Sequence, residues 1–226
     1  MKILIYVPTR DRPERLKQFL DSFDKFTEGN SFIIVGVDED QSEMYAPVVS
    51  HHPSVAVVVT HGEEFAEKVN KMHELTKDVY THEYYYILSD DFIIESPFES
   101  EMLEAAEGRR FFMGFGNDGI KGESLATAIM MSREIPDAVG YINPSSLKHL
   151  YCDNVWTEWG KELNCLYYFQ DIKITHNHFT KNPELIDDLY KKSNNKAVFD
   201  MDRMAFDRYM RTQFNKDIKK VLTYTR

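Results

Sequence analysis

The sequence predicts an α/β protein built on a mainly parallel sheet. Three observations carry that expectation. Aliphatic runs at residues 2–7, 32–37, 55–59 and 84–88 show no polar alternation, as expected of strands covered on both faces. Segments of helical apolar spacing separate them, giving the strand–helix–strand alternation of this class. Each run also stops on polar or charged residues, which marks a strand end rather than a continuing helix. The 226 residues suffice for one large domain or a domain with a small appendage.

Taken in order, residues 2–7 form the first strand, broken by Pro8-Thr9-Arg10-Asp11-Arg12-Pro13. Asp11 is placed to cap the next helix, and Pro13 to sit in its first turn, where a missing N–H costs nothing. Leu16, Phe19, Leu20 and Phe23 then recur at helical spacing, so this helix lays one face on the sheet. Gly29-Asn30 ends the helix, and residues 32–37 form a strand closing on Asp38-Glu39-Asp40. This is a βαβ unit with a right-handed crossover. A short helix at 43–49, a buried strand at 55–59 and a helix at 63–76, with Phe65, Val69 and Met72 inward, lead to the fourth strand. After it the texture changes. A helix covers 97–107, and strands at 110–115 and 125–131 flank the glycine-rich loop 116–122. The run from Met130 to Pro136 is a strand end leading into a short helix. Asp153 opens a helix containing Trp156, Trp159 and Leu163, and a strand at 166–175 ends in His176-Asn177-His178. Helices are expected at 183–192 and 199–210, the second packing Met201, Met204, Ala205 and Tyr209, and the last dozen residues read as loose.

Composition narrows the function classes. Hydrophobic content of 42% and aromatic content of 13% are globular. A net charge of −10 argues against tight binding to nucleic acid or an anionic membrane. The opening apolar stretch is too short for a signal peptide, and no apolar run approaches the ~20 residues that span a bilayer. Cys152 and Cys165 are isolated thiols without metal-type spacing, so no disulfide framework is expected. A soluble cytoplasmic protein follows as the expectation. His51-His52 and Arg109-Arg110 read as surface residues.

The chemistry concentrates at strand ends. The aromatic run Tyr84-Tyr85-Tyr86-Ile87-Leu88 stops on Ser89-Asp90-Asp91. Two carboxylates at the end of a buried strand are costly without partners, and a hard divalent cation such as Mg²⁺ or Mn²⁺ is a general answer. Taken alone, the pair fits a turn equally well. In parallel sheets ligands bind beyond the carboxyl ends of the strands. The topology therefore gathers Thr9, Arg10, Arg12 and Asp38 beside Asp90-Asp91. His176 and His178 alternate, so on a strand they face one side. Asp153 reads as a helix cap or an acid–base group, Trp156 and Trp159 as core before ligand-stacking, and Lys68 as a solvated helix residue or a cation for the site.

The order of these features resembles the nucleotide-sugar glycosyltransferases of the GT-A fold, specifically the family 2-like group and its compact, phage-type members. The resemblance covers roughly residues 1–180. It implies a three-layer α/β/α fold, with a nucleotide-binding half at 1–95, an acceptor half at 96–180 and a helical extension at 181–226 packed on it. By that match Thr9 and Arg10 lie beside the nucleotide, and Pro8 shapes their loop. Asp38 accepts a hydrogen bond from the base, which is uracil in most relatives. Lys68 stands where relatives often place a cation near the phosphates. Asp90 and Asp91 match the Asp-x-Asp-type motif, with Ser89 in place of the first acid. Asp91 is then the metal ligand and Asp90 a ribose partner or support. His176 or His178 is the C-terminal metal ligand, and Asp153 is the base of inverting members.

The implied reaction moves a sugar from a nucleotide-sugar, a UDP-sugar in most relatives, to an acceptor hydroxyl with inversion, using Mn²⁺ or Mg²⁺. A cation neutralises charge on the departing diphosphate, and a carboxylate takes the acceptor's proton. The acceptor is open between a glycan, a small molecule, a protein and a modified nucleobase in DNA. A viral enzyme would act in host cytoplasm. The loop 116–122 is expected as a lid or acceptor wall. A nucleotidyl- or phosphoryl-transfer enzyme is the alternative, weakened by the lack of a glycine-rich phosphate loop. A binding module without catalysis is a further one, kept open by Ser89.

Overall fold

β1 (Ile3–Pro8) is buried along its whole length, and its side chains feed two cores. Leu4 and Tyr6 enter one; Ile3, Ile5 and Val7 enter the other. Burial on both faces explains the absence of alternation in the sequence. In this computed structural model, which describes residues 1–61, 64–178, 187–193 and 195–225, β1 lies inside an eight-stranded sheet. α1 (Pro13–Phe26) carries the chain to β2 (Ser31–Asp38), and α2 (Ser42–Val49) to β3 (Val55–Thr60). α3 (Phe65–Thr76) returns it to β4 (Tyr84–Ile87) on the other side of β1. These four strands are mutually parallel.

β5 (Phe92–Ile94) follows the acid pair at once, then α4 (Glu99–Ala106), β6 (Met113–Asn117) and β7 (Ile129–Ser132). α5 (Glu134–Val139) and α6 (Cys152–Glu162) precede the long β8 (Leu166–His176). The strand order is β3-β2-β1-β4-β7-β6-β8-β5. β7 runs antiparallel to β4 and β6, β8 parallel to β6, and β5 antiparallel to β8. The chain ends in α7 (Asp188–Ser193), α8 (Lys196–Thr212) and α9 (Phe214–Thr223). One core holds Leu16, Phe19, Leu20 and Phe23 of α1, with Tyr45 and Met102. The other holds Val69 and Met72 of α3, Trp156 and Trp159 of α6, and Tyr209, Phe214, Ile218 and Val221 near the C-terminus. The expected three-layer α/β/α architecture is thus the one observed.

Several local expectations are corrected. β3 is an edge strand, with Val57 40% and Val59 44% exposed, so its β-branched run is only half covered. Asp11 does not cap α1. Its backbone is left-handed (φ 56°) and its carboxylate accepts from Gln41, while Pro13 does open the helix. His52 is buried against Asp24 at 2.6 Å. Leu163 lies just beyond α6. Tyr209 is buried and Ala205 packs on the core as expected, but Met201 and Met204 face solvent and α8 buries Asp202 as well. The final residues are not loose: Phe214, Ile218 and Val221 repeat at helical spacing and are buried in α9. The expected helix starts at residues 63 and 183 lie outside the described residues. Both cysteines are free and buried. Among the described residues, no helix is long and apolar enough to cross a membrane.

Candidate active site

Beyond the carboxyl ends of β1 and β4 the chain leaves a cavity of about 260 Å³. The loop after β1 supplies Pro8, Thr9, Arg10 and Arg12 to it, and α3 supplies Phe65 and Lys68. The turn after β4 adds Ser89, Asp90 and Asp91, and the start of α6 adds Cys152, Asp153 and Trp156. His176 ends β8 and His178 follows it, completing one wall. All the residues expected from sequence therefore converge on this cavity except Asp38, which sits behind it. Asp38 is fully buried, paired with Lys68 at 2.7 Å and Arg10, and accepts from Thr60 at 2.9 Å. Burial pushes its carboxyl up, but Lys68 and Arg10 outweigh that and hold it down near 2. Asp38 thus fixes two of the cations that line the cavity, Arg10 and Lys68.

The acid pair is divided by its neighbours. Asp90 accepts from Thr9 Oγ1 at 2.6 Å and has Arg12 Nη1 at 3.5 Å. Asp91 faces the other way. Its Oδ1 accepts from Ser89 Oγ at 2.5 Å and its Oδ2 from the Tyr190 hydroxyl at 2.5 Å, while His176 Nε2 stands 3.4 Å from Oδ2. Burial and the charge of Asp91 raise the pKa of Asp90. Burial raises Asp91 too, but His176, Ser89 and Tyr190 pull it far below the usual carboxylate range. The carboxylate of this pair that stays charged is therefore Asp91.

His176 stacks on Phe92 with ring centroids 4.3 Å apart, which fixes its plane, and the His178 ring is 5.0 Å away. A carboxylate oxygen and an imidazole nitrogen 3.4 Å apart suit neighbouring corners of one coordination shell. Among the described residues, no three His, Cys, Asp or Glu side chains are arranged as a ready metal site. Asp91 and His176 thus fit an open Mn²⁺ or Mg²⁺ site whose remaining positions fall to a ligand's oxygens and water. His178 packs edge-on against Tyr190, at 5.3 Å between rings. Asp153 is half-buried beside the start of α6, accepts from the Asn154 N–H at 2.9 Å, and has its pKa raised by burial.

Sequence reasoning missed several contributors. Tyr45 donates or accepts at Thr9 Oγ1 (2.9 Å) and accepts from the Arg12 N–H (2.9 Å), so it shapes the loop after β1. Ser89, read as a lost acid, holds Asp91 by its hydroxyl. Tyr190 arrives from a distant segment read only as a helix, with no local signal tying it to the acid pair. Trp156 both lines the cavity and packs in the core, donating to the Ile142 carbonyl, whereas Trp159 is core alone and donates to Tyr209. The loop 116–122 is pinned rather than free. Asp118 accepts from the N–H groups of Ile120, Lys121 and Gly122 and from the Thr127 hydroxyl, and Gly116 lies inside β6.

No protein-family model matches the sequence, and no curated protein sequence does. Solved structures do match. S. aureus TarS 1-349 in complex with UDP-GlcNAc aligns over 98% of this chain and 72% of that one, at TM-score 0.65 and 14% identity. The mannosyltransferase PcManGT from Pyrobaculum calidifontis, in complex with GDP-Man and Mn2+, aligns over 98% and 73% at TM-score 0.61 and 11% identity. The catalytic domain of Drosophila beta1,4galactosyltransferase 7 in complex with xylobiose aligns over 95% and 83%, at TM-score 0.57 and 16% identity. Against a longer TarS structure the chain spans 45% of the length. The chain has the GT-A fold, and its structural neighbours are nucleotide-sugar glycosyltransferases. In this chain the C-terminal segment reaches the Ser89-Asp90-Asp91 turn through the Tyr190 hydroxyl.

Proposed function

We propose that this chain is a metal-dependent glycosyltransferase that moves a sugar from a UDP-sugar to an acceptor hydroxyl with inversion. The observation that carries the reading is Asp91 beside His176 at 3.4 Å, on the wall of a cavity that Asp153 also lines. The neighbours in complex with UDP-GlcNAc, or with GDP-Man and Mn2+, support the same class of donor and cation. In this reading Pro8, Thr9, Arg10 and Lys68 receive the nucleotide, with Asp38 holding the two cations in place. Asp90 stays bonded to Thr9 and steadies that loop. Asp91 and His176 would hold Mn²⁺ or Mg²⁺, which supplies charge neutralisation for the departing diphosphate. Asp153, its pKa raised toward the working range by burial, takes the acceptor's proton as the hydroxyl attacks. His178 assists from the same wall, and Trp156 gives the sugar an apolar surface. In the same reading residues 1–95 handle the nucleotide, 96–180 the acceptor, and 181–226 form the helical extension.

Calorimetric titration with UDP, with and without Mn²⁺, tests the donor half. Asp91→Ala is expected to abolish the Mn²⁺-dependent part of binding; normal binding by that variant removes the metal assignment. Asp153→Asn is expected to bind UDP as before and to lose transfer by about 10²- to 10⁴-fold. Slow release of UDP from a UDP-sugar supports the proposal. Release of pyrophosphate from a nucleoside triphosphate would make the chain a nucleotidyltransferase instead, and UDP binding without turnover would make it a binding module.

A further inference from the structure

The C-terminal extension returns to the cavity and touches both signs of its charge. Asp187 gives both carboxylate oxygens to the Arg12 fork, at 2.8 Å from Nε and 2.8 Å from Nη2, and stands 3.3 Å from Arg15 Nη2. Three residues on, the Tyr190 hydroxyl donates to Asp91 Oδ2 at 2.5 Å. The Tyr190 ring lies 4.5 Å beneath the Arg12 guanidinium and 5.4 Å from that of Arg15. Asp187 also accepts from the Tyr190 N–H at 2.8 Å, which ties the two residues through one turn.

We propose that Arg12 and Arg15 are the diphosphate clamp of the donor site, and that Asp187 and Tyr190 form a latch that a nucleoside diphosphate and its cation must displace. This rests on the reading of Asp91 as the cation's ligand. A guanidinium fork binds carboxylate and phosphate with the same bidentate geometry, so Asp187 occupies the place of a phosphate. Arg12 is only 10% exposed and also faces Asp90. A cation so enclosed is costly to leave without an anion. Exchange of Asp187 for phosphate keeps the guanidinium paired throughout, whereas simple opening would not. The same logic holds at the acid: the Tyr190 hydroxyl takes one lone pair of Asp91 Oδ2 and competes with a cation for that oxygen's charge. Because Asp187 and Tyr190 are joined, phosphate on Arg12 and the cation on Asp91 release the latch together. Donor and cation therefore bind cooperatively, each removing part of the other's obstacle.

The test is calorimetric titration of the full chain with UDP in Mn²⁺, on wild type and on Asp187→Asn, Tyr190→Phe, the double variant and Arg12→Ala, each checked for folding by circular dichroism. Loss of one charge-assisted contact from the latched state predicts roughly 10- to 100-fold tighter UDP binding for Asp187→Asn and for Tyr190→Phe. Arg12→Ala is expected to bind UDP at least 10-fold more weakly; Arg12→Lys replaces it if that variant does not fold. Equal or weaker UDP binding by Asp187→Asn and Tyr190→Phe overturns the latch while leaving the site's function standing. Binding by the double variant alone supports a tighter latch, and absence of binding by every variant overturns both.

Discussion

Asp202 of α8 offers the sharpest test of how the C-terminal extension builds the site. Its carboxylate is 1% exposed and accepts from three successive N–H groups, Lys148 at 3.0 Å, His149 at 2.9 Å and Leu150 at 2.7 Å. Those residues lead through Tyr151, held in a left-handed backbone conformation (φ 66°), into Cys152 and Asp153. Asp202→Ala would strip the acceptor from all three donors. Bonds to charged acceptors contribute about 1.5–3 kcal/mol each and are not additive, so a loss of about 3–5 kcal/mol is expected. In a chain of 226 residues that corresponds to a melting temperature lower by roughly 10 °C. Asp202→Asn separates the mechanism from simple loss of packing. Its one oxygen can stand where Oδ2 now serves His149 and Leu150, but its NH₂ then meets the Lys148 N–H, so about half the loss is expected. Urea and thermal denaturation followed by circular dichroism read both variants. If Asn costs as much as Ala, or if neither variant melts lower, the three-donor account is wrong.

Two further outcomes follow from buried groups elsewhere. Burial pushes the His82 imidazole down to about 4, with Arg133, Asp137 and His73 nearby. The unfolded chain takes up a proton below about 6.5 that the folded chain refuses until about 4, so His82 costs no stability above that window and up to roughly 3 kcal/mol as pH falls through it. His82→Gln should flatten the difference between urea midpoints at pH 7 and pH 4.5; an unchanged difference would exclude His82 as its source. A Cβ at Gly116 would meet the Ile172 carbonyl oxygen at 2.7 Å, and a backbone atom cannot swing aside. Gly116→Ala should therefore lower stability by about 1–3 kcal/mol, seen as a lower urea midpoint, and a wild-type midpoint would refute the close packing of β6 on β8.

Much of the fold was legible because both-sided burial leaves a strong mark. The runs that became β1, β2 and β4 had no polar face to hide, and α1 showed its buried face at helical spacing. The edge position of β3 was not legible, since Val and Ala suit a half-covered strand as well as a central one. α9 was overlooked because lysines and an aspartate crowd around Phe214, Ile218 and Val221, and charge density masked a regular period. At the site, residues at strand ends were legible because the parallel sheet itself brings them together. Tyr190 was not: its contact with Asp91 spans 99 positions, and neither spacing nor composition encodes such a pairing. Asp202 was missed for a related reason, as it collects N–H groups of a loop 52 to 54 positions away.

The charge of the cavity explains why a cation belongs to the proposed chemistry. Among the described residues its walls carry three cations, Arg10, Arg12 and Lys68, against four acids, Glu64, Asp90, Asp91 and Asp153. Arg10 and Lys68 are already engaged by Asp38, which lies behind them. A nucleoside diphosphate adds more negative charge to a place where no cation stands in excess, and the side chains alone would repel it. Two features relieve this. Burial beside Asp91 favours the protonated form of Asp90, which lowers the negative charge by up to one. Arg12 exchanges Asp187 for phosphate without a change in its own pairing. The remaining deficit falls at Asp91, the acid held ionised, and on the proposed reading a divalent ion there would turn the wall from repulsive to attractive for diphosphate. On this argument UDP binding without Mn²⁺ or Mg²⁺ should be weak and should strengthen when Asp91 is neutralised as Asn, whereas with Mn²⁺ the same substitution should weaken it. A single substitution with opposite signs in the two conditions is a result that a merely structural Asp91 would not give.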